Sequence, residues 1–360
     1  MDGIIPNVDS VHTIKAIGES WHHKDVMEDS IDFENSGWNF EIERIALRRA
    51  DLKAVKELIL KDGEVSSRIV YGHFAGEYLM AVVSGKNYEL AQPKEIFESV
   101  RVLLDEFGLR IVSSGTIYGR KNMFMNLESV ENSQIEIASG DFIRPSLRVV
   151  AGNDKSVSPS WYTGATRIVC ANTFRVSMRE LSALMKAKGK GSLSNSAFVE
   201  KIRHSKNFLN KLGEVKQALT DFYVRQELLA DALRELNTKE ISSSDASNIL
   251  LGFAGSLNEK GEIPTRTMNV VDDIVSRFEN GIGNKGKTLY DLFNGFTEKY
   301  TRDVSDDALK GFVSSEFGRA SDKKESFMLA LLSDEQLEKL AKKGEELLKG
   351  KPAIVEAVTV

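Results

Sequence analysis

The sequence predicts an α+β N-terminal domain, made of antiparallel β-hairpins with one packed helix, followed by an α-helical C-terminal region. Two observations predict this. Short apolar segments separated by Gly-containing turns recur between residues 38 and 180. Beyond them, apolar residues recur at helical spacing almost throughout. We therefore expect three parts: a polar arm over 1–37, an α+β domain over 38–180 and a mainly α-helical region over 181–360.

The first elements of the α+β domain are bounded by glycine and proline. Residues 38–50 alternate well enough for a strand, and the segment after them is helical until Gly63. Residues 68–90 indicate two strands joined at an Ala-Gly-Glu turn. Pro93 then begins a helix with apolar residues three and four apart, and Gly108 ends it.

The second half of the domain is a further set of hairpins. Residues 110–130 form one hairpin around the turn YGRKN, and residues 134–158 continue the strands into a polar loop. The segment SVSPSWYTG is predicted to be part of this loop, so that Trp161 and Tyr162 lie on it.

Helical periodicity dominates the remaining chain, and several segments begin with an N-cap residue. The last of them begins with a capping box made of Ser333 and Gln336. The predicted helical segments are 176–191, 194–236, 242–255, 267–280, 288–300, 305–318 and 333–350.

Composition sets limits on the class of protein. Hydrophobic residues make up 41% and charged residues 28%, which is ordinary for a globular protein. One cysteine excludes an internal disulfide and a multi-cysteine metal cluster. No apolar run reaches the ~18 residues of a membrane helix, and the N-terminus lacks the pattern of a secretory signal. These features predict a cytoplasmic protein without membrane contact.

The charge is unevenly distributed along the chain. The whole chain has a net charge of −5, yet residues 141–215 contain 13 Lys and Arg against 5 Asp and Glu. The flanking residues 1–140 and 216–360 are both acidic. This distribution is typical of an electropositive face on an acidic protein, and a solvated helix with lysines on its outer side is the alternative.

The basic segment supplies the candidate binding residues. Spread-out cations neutralise phosphates, and aromatic side chains on a loop stack on unpaired bases. For the aromatics the alternative is that they anchor the loop on the core, because large aromatic side chains are usually buried. The candidate nucleic-acid-binding residues are Arg144, Arg148, Lys155, Trp161, Tyr162, Arg167, Arg175, Arg179, Lys186, Lys188 and Lys190.

The other motifs are weaker evidence of function. Gly281–Thr288 fits the phosphate-loop pattern GxxxxGK[ST], but a true phosphate loop follows a buried strand, and here an amphipathic helical segment precedes it. The alternative is a helix end, a short loop and the start of the next helix. His22 and His23 are adjacent and make a poor chelate on a helix, and Cys170 is expected to be a buried structural thiol. We expect no metal, no cofactor and no catalytic residues.

The order of several segments resembles a phage- and plasmid-borne family catalogued as domain of unknown function 932. The similar segments lie between about residues 37 and 305: GWNFEI, YGHFAGEYLMAVVSGKNYEL, SSGTIYGRKNMFMNLE, TGATRIVCANTF, IRHSKNFLNKLGEVKQAL and TLYDLFNGFTEKYTRD. The family implies a mobile genetic element but no defined activity. The arrangement of hairpins, long helix and basic segment is also similar to phage single-strand annealing proteins of the Rad52 type, which is an analogy of architecture only.

From these features we expect a non-catalytic protein that binds single-stranded DNA and anneals or protects it during replication or recombination. Single-stranded DNA is the expected partner, with a homo-oligomer and a host protein as further candidates. Two other functions stay open: an interaction protein that modulates a host system, and an enzyme that binds a nucleotide through Gly281–Thr288.

Overall fold

A computed structural model describes the chain in several stretches: residues 13–16, 30–47, 70–75, 78–84, 91–117, 120–129, 134–152, 159–170, 172–190, 222–303 and 308–349. The chain divides into two compact units. The first is made of 1–133, 146–162 and 194–222, and the second of 134–145, 163–193 and 223–360. The second unit therefore joins strand residues from 134–145 and 163–176 to the C-terminal helices.

Ten strands lie in the described residues, and all the pairings with a defined register are antiparallel. The strands are β1 (Thr13–Ala16), β2 (Glu43–Leu47), β3 (Val70–Ala75), β4 (Tyr78–Ser84), β5 (Leu109–Ile117), β6 (Asn122–Ser129), β7 (Ile135–Ala138), β8 (Asp141–Gly152), β9 (Ser160–Arg167) and β10 (Asn172–Val176). The larger sheet has the order β1-β5-β6-β8-β9-β10, with β7 beside β8, and β2-β3-β4 form a separate sheet. The predicted antiparallel hairpins are confirmed.

Helix α1 (Pro93–Phe107) lies in the first unit and packs on β5, as its apolar spacing predicts. Ile96 and Val100 are buried in one core with residues of β5 and β6, and Leu104 packs against that core. Gly108 ends the helix in the left-handed conformation with φ +58°, which glycine adopts without steric cost.

Two predictions for this unit are wrong in part. Within the described residues, the strand expected over 38–50 is β2 and begins at Glu43, because Trp38 lies outside the sheet with its whole side chain buried in the core. Its indole Nε1 donates to the carbonyl oxygens of Gly115 and Phe124, at 3.1 and 3.0 Å. Such bonds satisfy the polar atom of a buried indole.

A strand takes the place of the loop that was predicted to contain Trp161 and Tyr162. Both residues lie at the start of strand β9, and only 1% of Trp161 is exposed. Trp161 belongs to the core of the first unit, which confirms the alternative that this aromatic is a core anchor. Tyr162 points to the opposite side of the strand and is half-buried.

The second unit contains the described helices of the predicted helical region, and the predicted helical residues 194–221 lie outside the described residues. The helices are α2 (Met178–Ala187), α3 (Phe222–Thr238), α4 (Ser243–Ala254), α5 (Thr265–Asn280), α6 (Leu289–Arg302), α7 (Ala308–Phe317), α8 (Arg319–Leu332) and α9 (Asp334–Leu348). Helices α4 and α6 begin with capping boxes formed by Ser242 with Asp245 and Thr288 with Asp291. At α9, Ser333 accepts from the backbone N–H of Gln336, which is one half of the predicted box.

Packing in this unit brings together the edge hairpin β9–β10 and the helices. The face of β10 that carries Phe174 packs on α6, where Phe174 meets Phe293 edge-on. Helix α8 lies along the edge of β10, and the buried ammonium of Lys324 donates to the carbonyl oxygen of Thr173 at 2.8 Å. The hairpin is therefore held by helices on a face and on an edge.

Candidate nucleic-acid interface

Arg167 lies at the end of β9, opposite Asn172 across the hairpin, and only 2% of it is exposed. Its Nε and Nη2 donate to both carboxylate oxygens of Asp141, with distances of 2.5 to 3.0 Å. This is a bidentate charge-assisted pair, the strongest common form of side-chain hydrogen bonding. Arg167 therefore fixes the end of the hairpin to the turn between β7 and β8.

The same guanidinium also holds the loop between α5 and α6, residues 281–288, which we call the clamped loop. Its Nη1 donates to the carbonyl oxygen of Ile282 and to Oδ1 of Asn284, and its Nη2 donates to the carbonyl oxygen of Gly283. Burial alone lowers the pKa of Arg167, but the hydrogen bonds to Asp141 and the electrostatic interactions with Tyr290, Cys170 and Asp141 together raise the pKa above its ordinary value. Arg167 thus stays charged and bonded inside the protein.

Cys170 lies in the turn that follows β9 and is 3% exposed. Burial raises the pKa of its thiol, and the nearby charge of Arg167 only partly opposes this effect. A raised pKa leaves little thiolate at neutral pH, as expected for a structural thiol. The carbonyl oxygen of Cys170 accepts from Nη2 of Arg302 at 2.7 Å, so α6 also holds this turn.

The clamped loop is the segment that fits the phosphate-loop pattern, and its surroundings are those of a helix–loop–helix connection. Helix α5 precedes it where a phosphate loop needs a strand. Its carbonyl oxygens at Ile282 and Gly283 face Arg167, and the N–H groups of Lys287 and Thr288 donate to the Asp291 carboxylate. These N–H groups, which would bind a phosphate, are already taken by the capping box.

Several basic residues proposed from the sequence have partners inside the protein. Arg148 is 7% exposed and donates to Oδ1 of Asn126 in the first unit. Arg175 of the second unit bonds Ser321 and Asp322 on α8. Arg144 is half-buried on β8, and Lys155 lies outside the described residues. We do not include Arg148, Arg167 and Arg175 in a binding surface, because their donors are used within the fold.

Lys188 and Lys190 follow α2 and share one carboxylate. Both ammonium groups bond Glu235 of α3, at 2.6 and 2.9 Å, and Lys188 also bonds Asp334 of α9. Lys190 is the more open of the two, with 43% of its side chain exposed. This cluster connects the end of α2 to α3 and α9.

The Glu235 cluster makes the stability of the second unit depend on pH. Burial raises the pKa of Glu235, but Lys188 and Lys190 outweigh it and lower that pKa. A lowered folded-state pKa gives stability that is present above the unfolded pKa of about 4.3 and is lost as pH falls through the folded value. We expect Glu235→Gln to lower the free energy of unfolding by about 1–2 kcal/mol at pH 7, and the difference from wild type to disappear in acid.

Chemical denaturation at a series of pH values from neutral to acid measures this difference. Glu227→Gln is the control, because 62% of the Glu227 side chain is exposed on the same helix. A Glu235→Gln deficit that persists unchanged at the lowest pH would contradict an electrostatic role.

Two predicted cations remain open to solvent on α2. Arg179 and Lys186 are exposed and seven residues apart, so they lie on the same face of the helix, about 10 Å apart along its axis. Within the part of the chain that the structure describes, neither side chain makes a hydrogen bond or ion pair. Ala183 lies on the same face between them and is exposed, and its short side chain leaves this face open to a ligand. We call Arg179, Ala183 and Lys186 the α2 stripe.

The sequence did not indicate Asp141 and Asn284 as partners of Arg167. Their separations from Arg167 are 26 and 117 residues, and no local spacing rule relates positions so far apart. The only local signal was the position of Asp141 directly after the Gly140 turn.

Neither a metal site nor a membrane span is found in the described residues. No group of three or more His, Cys, Asp or Glu side chains in this part of the chain is arranged to hold a metal ion. Among its helices, none combines the length and apolar composition that crossing a bilayer requires. His22 and His23 lie outside the described residues.

Comparison with known proteins gives one match. The sequence model of a family described as "Domain of unknown function (DUF932)" matches residues 80–332. The match begins after the segment GWNFEI and extends beyond residue 305 to the end of α8. No curated protein and no solved structure matches the chain.

Proposed function

Because the chain belongs to the DUF932 family, whose name assigns no activity, we propose its function from its own residues: it binds single-stranded DNA without catalysis and without sequence preference. The observation that carries this proposal is the α2 stripe. It presents two cations that the fold does not use, inside the most basic segment of an acidic chain.

The charges support a backbone contact rather than base recognition. Arg179 and Lys186 are separated by about two turns of helix, which lets them contact different phosphates of one strand. The side chain of Ala183 between them is short enough to let a strand approach closely. Glu180 is also exposed on this helix, one position along from Arg179, and would moderate the attraction. A contact of this kind does not read sequence.

Lys190 extends the basic surface beyond the end of α2, although it shares Glu235 with Lys188. Base stacking by Tyr162 of the first unit stays a prediction. Its side chain is half-buried and already has other interactions in the protein. Trp161 is not part of the proposal, because its ring is buried in the core.

We expect the double variant Arg179→Gln, Lys186→Gln to weaken binding to a single-stranded oligonucleotide and to reduce its salt dependence. Each lost phosphate contact lowers the slope of log affinity against log salt by about 0.7 for a single strand, so the pair lowers it by about 1.4. Fluorescence anisotropy of a labelled oligothymidylate at four or more salt concentrations measures the slope.

The matched control is Lys260→Gln with Lys342→Gln, which removes two exposed cations from other helices or loops of the second unit. It should leave the slope unchanged. Equal slopes for the α2 double variant and wild type would remove the α2 stripe from the proposal. Wild-type protein without affinity for single strands at low salt would end the proposal and favour interaction with a host protein.

The family resemblance suggests where such binding would be used. A protein from a mobile element that coats single strands would protect them or bring complementary strands together during replication or recombination. An annealing assay with two complementary labelled strands separates the two roles, because protection alone does not raise the rate of pairing.

A further inference from the structure

Two exposed aliphatic side chains belong to adjoining segments of the second unit. Val169, in the turn between β9 and β10, is 46% exposed, and Ile282, in the clamped loop, is 47% exposed. The loop and the turn are in direct contact, since a Cβ atom at Gly283 would lie 2.8 Å from Cγ1 of Val169. Only five large hydrophobic side chains are exposed in the described residues, and these two belong to adjoining segments.

The position of this pair is fixed by buried contacts. Arg167 bonds the carbonyl oxygens of Ile282 and Gly283, and Arg302 bonds the carbonyl oxygen of Cys170. Gly283 has φ +78°, which other residues rarely adopt, and a Cβ atom there would lie 3.0 Å from Nη2 of Arg167, so glycine favours the close approach of the loop to Val169. The two aliphatic side chains are therefore presented on rigid backbone, which limits the entropy lost on binding.

The charges within the clamped loop itself are positive, and one exposed carboxylate, Glu279 at the end of α5, lies against its Gly286. The clamped loop contains no acidic residue, and its Lys285 and Lys287 side chains are both exposed. The carboxylates nearest to Arg167 and Arg302, Asp141 and Glu298, are mostly buried and paired. An apolar pair beside exposed cations is complementary to a ligand with apolar surface and negative charge.

We propose that Val169 and Ile282 form an apolar contact for the unstacked bases of a bound single strand. This inference rests on the proposed function and adds its base-contacting element. One base has about the footprint of two aliphatic side chains, whereas a stable protein interface needs upwards of about 1,000 Å². Aliphatic side chains contact bases in other DNA-binding proteins by removing apolar surface from water. A membrane-binding surface would favour Trp, Phe or Leu, and neither the turn between β9 and β10 nor the clamped loop contains any of them.

The test compares two oligonucleotides with the same number of phosphates, one of thymidylate and one abasic. Val169→Thr with Ile282→Thr keeps β-branched side chains and replaces a methyl group of valine and the ethyl group of isoleucine by hydroxyls. We expect this double variant to bind oligothymidylate roughly 5- to 10-fold more weakly than wild type, the low end of what one stacked base contributes. We expect its affinity for the abasic strand and its salt slope to equal those of wild type.

Val224→Thr is the matched control, because Val224 is 57% exposed on α3 and should not change binding. Equal affinities of wild type and the double variant for oligothymidylate would overturn the inference, as would an equal loss on the abasic strand. Sedimentation of wild type with anionic vesicles, lost in the double variant, would assign the pair to a membrane instead. If wild type binds neither oligonucleotide, the proposed function itself fails, which is a different result from a base contact that fails.

Discussion

Replacing Arg167 with Met is expected to lower the free energy of unfolding of the second unit by about 3–5 kcal/mol. The substitution leaves Asp141 as an unpaired carboxylate with only 14% of its side chain exposed. It also removes the donors to Ile282, Gly283 and Asn284. A buried charge without a partner is among the most destabilising changes a single substitution makes.

The two units can be followed separately in this experiment. All three tryptophans belong to the first unit, and most of the described helical residues belong to the second. Far-ultraviolet circular dichroism during chemical denaturation therefore reports mainly on the second unit, and tryptophan fluorescence on the first.

Arg179→Met is the control for Arg167→Met, because Arg179 is exposed and should change stability by no more than about 0.5 kcal/mol. Adding Asp141→Leu to Arg167→Met should restore part of the loss, since the remaining carboxylate is then gone. If Arg167→Met unfolds at the same denaturant concentration as wild type, the contacts of Arg167 do not hold the loop and hairpin together.

Gly344→Ala is expected to lower the free energy of unfolding by about 1–3 kcal/mol. This is the reverse of the usual effect, because alanine normally stabilises a helix relative to glycine. Gly344 of α9 lies against α4, and a Cβ atom there would be 1.9 Å from the backbone oxygen of Asn248. Gly252 of α4 makes the reciprocal contact, with a Cβ position 2.0 Å from the backbone oxygen of Leu340. Because backbone atoms are the obstacle, the two helices must move apart to accept the methyl group.

Thermal or chemical denaturation measures the effect, with Lys342→Ala as the control on the same helix. Lys342 is exposed, so this substitution should be neutral or slightly stabilising. A Gly344→Ala variant more stable than wild type would show that helix propensity, rather than close packing, decides the outcome at this position.

Much of the secondary structure follows from local signals in the sequence. Pro93 and Gly108 bound α1, and the Thr288–Asp291 and Ser242–Asp245 pairs begin their helices where the capping pattern puts them. The strand at 38–50 was wrong in its extent, because the burial of Trp38 removes residues 38–42 from the sheet. Local patterns therefore identify an element better than its ends.

The sequence did not determine which cations of the basic segment are exposed. Arg167, Arg175 and Arg179 lie within 13 positions of one another in the same run. Each of the first two is bonded to a side chain more than 100 residues away, and the third is exposed. Charge clustering in a sequence thus shows how many cations a segment contains, but it does not show which of them face solvent.

By itself, the sequence determined the α+β hairpins, the helical C-terminal region and the family, and it favoured a helix–loop–helix connection over residues 281–288. These depend on interactions between neighbours in the chain or on patterns of residue type. Only the tertiary structure decided that Arg167 clamps that loop, that Trp161 is a core residue and that Val169 meets Gly283. Such contacts join residues far apart in sequence, and whether a side chain is bonded or free depends on what packing places beside it.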